Sequence, residues 1–361
     1  MPDPVLKSLP AFVTKEPRHF SEQLMQNSIS IKDQGIWLTV GQAAQTIAPD
    51  HSRAFGGNLR QPSFRRLVKA AVAHTLGAGQ FTLDLAMSAS KQHFEGFVEG
   101  QELDPEQLAI LQNTVSEIEF RTHPQAESQF CHLTIGNVKM LYETQAVLQA
   151  IPPTMRSYIL WQLGHGDLQQ ITMFNGRPIP TTHARVEGLS SAIRDFAEYI
   201  SLPIADAMIA WQTGQRTKQD SMQDETMDVF EEKQRAIREY FATATQDLLN
   251  LNEPYKQRCV GIVLSGGGAK DPMVVDCLRD EVESGGHYKL FSVTDLPQAA
   301  ETCSDPVMTC VQGLLKSSQL ALDIGNSSLK TGYTQPNQST TVGVFPSPRQ
   351  EYSYQNSQQT T

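Results

Sequence analysis

Leu320-Ala-Leu-Asp-Ile-Gly-Asn-Ser-Ser-Leu-Lys-Thr-Gly-Tyr333 is the stretch on which the reading of this chain turns. It opens as an apolar run, Leu320 to Leu322, long enough for a strand. The run ends at an acid, Asp323, followed by a turn of small residues: Gly325, Asn326, Ser327 and Ser328. Apolar and polar residues then resume through Leu329, Lys330 and Tyr333, as a second strand requires. A hairpin whose tight turn offers small side chains and backbone N–H groups is a natural cradle for phosphate. Lys330 would add positive charge there, and Asp323 can hold a hydrated Mg²⁺ ion. Any Asp-x-Gly turn between two strands has the same outline, so turn chemistry alone leaves a plain hairpin open.

Two further stretches carry similar chemistry. Tyr158–Leu163 reads as a buried strand running from Gln162 into Gly164-His165-Gly166-Asp167, with Gln170–Phe174 as its partner. Glycines at a strand end permit close backbone approach, to a ligand or simply to a neighbouring strand. His165 has no partner at useful spacing and reads as a loop histidine. Asn175-Gly176 is the strongest hairpin-turn signal in the chain. The strand–small turn–strand pattern thus occurs twice, at 158–174 and 320–333. The third stretch, Gly266-Gly267-Gly268-Ala269, follows an apolar strand at Arg258–Ser265 and precedes a helix at Met273–Val282. Three glycines let the backbone lie flat beside a nucleotide at a helix N-terminus. The motif is neither a P-loop nor GxGxxG, and an ordinary strand-to-helix turn is its alternative.

Candidate polar residues are fewer. Glu143 begins a helix that Pro152-Pro153 stops. A carboxylate there can orient or deprotonate a water, or simply complement the helix dipole. A long charged helix is expected over Asp220–Leu251, and its Glu231, Glu232, Lys233 and Arg235 read as ribose contacts or as a solvated face.

The rest of the chain sets limits. Its 361 residues allow two domains or one bilobal unit. Residues 28–41 read as strand, Asp33-Gln34-Gly35 turn, strand, and Ser63 to Leu76 as a helix. Phe81–Met87, Glu117–Arg121 and His132–Met140 read as further strands, and Gln92–Val98 as helical. Residues 1–20, with four prolines, read as an irregular arm, and 348–361 as a disordered tail. The 39 acidic and 29 basic residues give a formal charge of −10, which argues against a broad nucleic-acid surface. No secretory leader or membrane-spanning run is visible. Five scattered cysteines without metal spacing read as reduced thiols of a cytoplasmic protein.

Together these stretches resemble the actin superfamily, specifically ParM-type bacterial plasmid-segregation actins. That family has an α/β, ribonuclease H-like duplicated fold whose two domains face a nucleotide cleft. Asp323–Lys330 resembles its first phosphate motif, Val344-Phe345-Pro346-Ser347 the segment after it, and Gly35–Ala43 its next hairpin. Tyr142–Ala146 resembles the connecting helix with the catalytic glutamate, Leu163–Gly176 the second phosphate motif, and Leu264–Ala269 the adenosine motif. The resemblance implies ATP and Mg²⁺ as cofactors, with Glu143 and Asp323 catalytic and Asp323 also organising Mg²⁺ through water. Nucleotide contacts would come from Gly325, Asn326, Ser327, Ser328 and Lys330, from Gly164, His165, Gly166 and Asp167, and from Gly266, Gly267 and Gly268. It further implies self-assembly into filaments and a DNA-binding adaptor as partner, in segregation or as a scaffold.

Two departures stand out. The first phosphate motif opens the chain in the family but follows everything else here, which implies circular permutation. Domain I would then combine 21–150 with 318–347, and domain II would span 151–317. The second phosphate motif begins with an Asp in the family, where this chain has Gln162, with Asp167 five residues later. A non-polymerising nucleotide-binding regulator, or a small-molecule kinase on the same fold, therefore remains an alternative.

Overall fold

The structure, a computed structural model, describes residues 4–16, 25, 27–47, 59–89, 103–220, 223–284, 288–296, 305–325 and 328–335. In chain order its elements are β1 (Val5–Pro10), β2 (Val13–Lys15), β3 (Ser28–Asp33), β4 (Ile36–Gly41), α1 (Gln42–Ile47), α2 (Pro62–Leu76) and β5 (Gly79–Ala89). Then come α3 (Pro105–Val115), β6 (Ile118–Arg121), β7 (Gln129–Tyr142), α4 (Glu143–Ala150), β8 (Tyr158–Leu163), β9 (Asp167–Phe174), β10 (Arg177–Glu187), α5 (Leu189–Tyr199) and α6 (Ile204–Thr213). The chain continues through β11 (Gln215–Asp220), β12 (Gln223–Asp228), α7 (Phe230–Leu251), β13 (Ile262–Ser265), α8 (Pro272–Ser284), β14 (Leu290–Ser292), α9 (Thr309–Leu314), β15 (Leu320–Ile324) and β16 (Ser328–Tyr333).

The smaller main sheet runs β10-β9-β8-β13-β14. Its first three strands form an antiparallel meander, and β13 and β14 add in parallel to β8. All six residues of β8 and all four of β13 are buried, as strands covered on both faces must be. The larger sheet runs β1-β16-β15-β5-β7-β6-β3-β4-β2. Its first five strands repeat the plan of the smaller sheet: β1, β16 and β15 form an antiparallel meander, and β5 and β7 add in parallel to β15. The two halves are therefore alike in connection pattern, except that the third meander strand of the larger sheet is the first strand of the chain.

Two expectations need correcting here. The stretch 1–20 is not an irregular arm over its described part, because β1 and β2 are strands. Pro10 sits at the last position of β1, which is an edge strand and tolerates it. Only Ala11 and Phe12 separate β1 from β2, yet these strands lie at opposite ends of the sheet order. The sheet therefore curls until its ends meet, and the N-terminal segment closes it. Secondly, the front of the expected helix over 220–251 is an antiparallel ribbon, β11 with β12, and α7 begins only at Phe230. The expected helix over Gln92–Val98, the Phe345-Pro346-Ser347 segment and the tail lie outside the described residues.

Between the two main sheets lies a shared apolar layer. It combines Ala86 and Leu141 from the larger sheet, Tyr158, Leu160 and Val263 from the smaller, and Ala146, Val147, Val311 and Leu314 from α4 and α9. These helices touch through backbone: a Cβ on Gly313 would lie 1.7 Å from the Ala146 carbonyl oxygen. Only glycine permits that approach, and it anchors α4, which carries Glu143 at its first position. No helix among the described residues is long and apolar enough to cross a membrane. Cys131, Cys259, Cys277 and Cys310 are free thiols.

Candidate functional site

The β15–β16 hairpin forms in the expected register, with Asp323 opposite Lys330. Gly325 N–H donates to the Ser328 carbonyl at 3.0 Å, closing the turn. Asn326 and Ser327 lie outside the described residues. Asp323 is 1% exposed and is held from two sides: Lys330 Nζ donates to Oδ2 at 2.7 Å, and Ser88 Oγ of β5 donates to Oδ1 at 2.5 Å. Burial pulls the Lys330 ammonium toward neutrality, but the Asp323 carboxylate outweighs it and holds the pKa above the ordinary lysine value. Ser88 was invisible in the sequence, since nothing in a strand pattern says which residue faces a hairpin more than 200 positions away.

The second turn, Gly164–Gly166, is tied to the start of α5. The carbonyl oxygens of Gly164, His165 and Gly166 accept from the N–H groups of Leu189, Ser190 and Gly188. Those N–H groups are ones a helix start leaves without intrahelical partners. The turn thus directs its carbonyls toward α5. A Cβ at Gly188 would lie 2.4 Å from Asp167 N, so this junction also requires glycine. Asp167 is fixed by Arg185 Nε at 2.8 Å and by Gln169 Nε2 at 2.9 Å.

Glu143 is held by the second hairpin. Its Oε2 accepts from Gln169 Nε2 at 2.9 Å and from Gln162 Nε2 at 3.4 Å. Burial pushes its pKa up to about 8, and the negative charges of Asp167 and Asp323 add to the shift, against smaller opposing effects of Lys330 and Arg185. One carboxyl group therefore senses the acids of both hairpins. Cys310 of α9 lies in the same field, its thiol pushed up by burial and by Asp323 and Glu143.

The glycine turn at Gly266–Gly268 lies beside the second hairpin. Ser265 of β13 is in register with Gln162 of β8, which brings the ends of the two strands together. Gly266 has φ +93°, and a Cβ there would meet Leu163 O at 2.5 Å; one at Gly268 would meet the Leu163 side chain at 2.5 Å. Packing against β8 therefore accounts for two of the three glycines. Gly267 is exposed, with nothing within 4 Å of its Cβ position. On α7, Lys233 is buried, donating to Asp271 Oδ2 at 2.7 Å and to the Trp211 carbonyl at 3.0 Å. It braces the segment after the glycine turn. Glu231 is exposed, Glu232 is half-buried, and Arg235 pairs with Glu239 across one helical turn. Among the described residues no three His, Cys, Asp or Glu side chains gather as a ready ligand set for a metal.

Comparison with solved structures places the fold. The chain is similar to Ta0583, an archaeal actin homologue, with TM-score 0.57 and 12% identity over 86% of this chain and 91% of that one. It is similar to a non-polymerisable quadruple mutant of pCBH ParM, with TM-score 0.60 and 11% identity over 85% and 91%. It is also similar to Bacillus thuringiensis ParM with ATP, with TM-score 0.53 and 15% identity over 85% and 91%. No family model matches the chain, and no curated protein matches its sequence. Two sheets of matching plan agree with these neighbours, and the chain has the actin-like fold.

Proposed function

We propose that this protein binds ATP with Mg²⁺ in the cleft between its two hairpins and assembles with copies of itself into filaments, in plasmid or DNA segregation or as a scaffold. The observation that carries this reading is Gln169, whose amide nitrogen bridges Glu143 and Asp167 of the second hairpin, with Asp323 of the first hairpin near enough for its charge to act on the same carboxyl group. Two turns of small residues, each with a carboxylate at its base, suit a polyphosphate chain held between them. The chain's own groups fit Mg·ATP. Lys330 is a half-buried cation beside the first turn, Asp323 a buried acid for a hydrated metal ion, and Gly267 an open backbone surface for the nucleoside. Bound Mg²⁺ would supply charge neutralisation on the phosphates. Lys330 and Asp323 are paired with each other here, so nucleotide binding would let Lys330 turn part of its charge toward phosphate.

In this reading the domains are permuted. The meander β15-β16-β1 of domain I is split between the two ends of the chain, with a short link at Lys316–Gln319 joining α9 to β15. Domain I then takes residues 21–150 and 318–347 together with β1 and β2, and domain II takes 151–317. The acidic overall charge favours DNA contact through an adaptor rather than directly. Gln162, at the position where the second phosphate motif of the resembled family has an acid, supports a second reading, a nucleotide-binding regulator that does not polymerise.

Pelleting and negative-stain microscopy with ATP, ADP and a nonhydrolysable analogue separate the two. Filaments with ATP over a range of concentrations are expected. Nucleotide binding without polymer at any concentration would leave the regulator.

A further inference from the structure

Asp323 and Ser88 are the next residues along β15 and β5 after the paired Leu322 and Met87, and Lys330 stands opposite Asp323 on β16. The three side chains form a row across adjacent strands. Ser88 is 5% exposed and Asp323 1%. Lys330 Nζ donates to Oδ2 of the carboxylate at 2.7 Å, and Ser88 Oγ to Oδ1 at 2.5 Å. This division matters because the torsion that turns an aspartate carboxylate about its Cβ–Cγ bond is broad. A carboxylate held at one oxygen swings, whereas one held at both, from the strands on either side, has a fixed plane. Without Ser88 the group would be free to turn both oxygens toward the ammonium.

Ser88 has a second neighbour. The buried Cys310 thiol of α9 lies within its hydrogen-bond reach. A hydroxyl carries one hydrogen, and an ionised carboxylate can only accept it. That hydrogen therefore goes to Asp323, and the Ser88 oxygen accepts from the thiol, which burial keeps protonated. A chain of two hydrogen bonds thus runs from α9 through β5 to β15.

We infer that Ser88 is the positioning residue of the metal-organising acid. Its hydroxyl, aimed by Cys310, fixes the Asp323 carboxylate so that the lone pairs left over face the waters of a hydrated Mg²⁺ ion instead of closing on Lys330. The inference rests on the nucleotide-binding reading above. Ser88 itself touches neither metal nor nucleotide, because its hydrogen and one lone pair are both committed inside the protein. A serine that merely tied β5 to β15 would act differently: its loss would weaken stability and nucleotide affinity alike, with or without metal.

The test uses the full chain and measures nucleotide-free melting, affinity for a fluorescent ATP analogue in EDTA, and the Mg²⁺ concentration at the midpoint of the metal-dependent gain in that affinity. Ser88→Ala should raise the Mg²⁺ midpoint by about 10- to 100-fold, as loss of a partner behind a metal-organising group does, with affinity in EDTA within about twofold of the parent. Ser88→Thr keeps the hydroxyl and suits a strand, and should bring the midpoint back to within about threefold of the parent. Cys310→Ala should move the midpoint in the same direction as Ser88→Ala, by less. A parental midpoint in Ser88→Ala, an equal loss of affinity with and without Mg²⁺, or a Ser88→Thr protein that melts like the parent but has the Ser88→Ala midpoint would overturn the inference. If Ser88→Ala does not fold, Cys310→Ala decides, and an unchanged midpoint there overturns it. A parent that binds ATP equally with and without Mg²⁺ also overturns it and leaves ATP binding intact. A parent that binds no nucleotide removes that reading itself, and the inference with it.

Discussion

Asp323 and Lys330 form a buried ion pair, with side-chain exposures of 2% and 14%, and this changes what a mutation there can report. Removing one partner of such a pair leaves an uncompensated charge, at a cost of about 3–5 kcal/mol. Asp323→Ala should therefore lower the melting temperature as well as Mg·ATP affinity. The double variant Asp323→Ala with Lys330→Met should recover most of the melting temperature but not the affinity; thermal melts beside fluorescence binding separate the two roles. Glu143 gives a pH-dependent counterpart. Its folded pKa of about 8 lies above the ordinary 4.5, so between these values the folded state holds a proton that the unfolded state has released. Stability therefore falls as pH rises through that window, by about 1.4 kcal/mol per pH unit in the limit. Glu143→Gln should raise the nucleotide-free melting temperature at pH 8 and change it little near pH 4.5. Equal melting of the two proteins at pH 8 would show that the carboxyl is not held protonated. Asp323, Lys330 and Glu143 were legible because each stands at a strand end or helix start of recognisable pattern. Ser88 and Gln169 were not, because hydrogen bonding across strands depends on register and face, which neighbours in sequence do not reveal.

At the scale of elements, the two hairpins were readable from turn chemistry, and Asn175-Gly176 adopts the left-handed conformation its type demands, with φ 52° and 77°. The glycine turn was readable as a turn but not for its division of labour. Gly266 and Gly268 serve the packing against Leu163, and Gly267 alone is open to a ligand. Gly267→Ala should leave the melting temperature within about 1–2 °C, as an exposed substitution away from packed contacts does. If the nucleoside lies against this turn, ATP affinity should fall, and unchanged affinity would remove Gly267 from the site. Gly266→Ala, with its Cβ forced against Leu163 backbone at φ +93°, should destabilise the fold outright. The ribbon β11–β12 was misread as helix because a charged stretch without apolar alternation offers i,i+4 pairs as readily as cross-strand ones. Beyond its own pairing, the ribbon is tied back by Arg216, which donates to the Ile200 carbonyl at 2.9 Å, a contact no local pattern encodes.

For the whole molecule, the position of β1 makes the permutation testable. Tyr333 at the end of β16 is in register with Val5 at the start of β1, so the two chain ends enter neighbouring strands side by side. A chain beginning near Ser318, with residue 335 joined to Pro4 by a short glycine-serine linker and ending after Lys316, should fold, melt within a few degrees of the parent and bind ATP equally well. Such joins are tolerated where ends are close and exposed. Failure to fold would show that the connection between α9 and β15 is more than a link. By itself the sequence determined the two hairpins, the glycine turn, the helix that begins at Glu143, and through them the fold class, because turns, caps and strand ends are set by local backbone chemistry. Only the tertiary structure decided that the first strand closes a curled sheet, that Gly313 lets α4 and α9 touch, and that two glutamines clamp one carboxylate. Each of these depends on which distant surfaces meet at the density of a packed interior, and no window of the chain contains both sides of that contact.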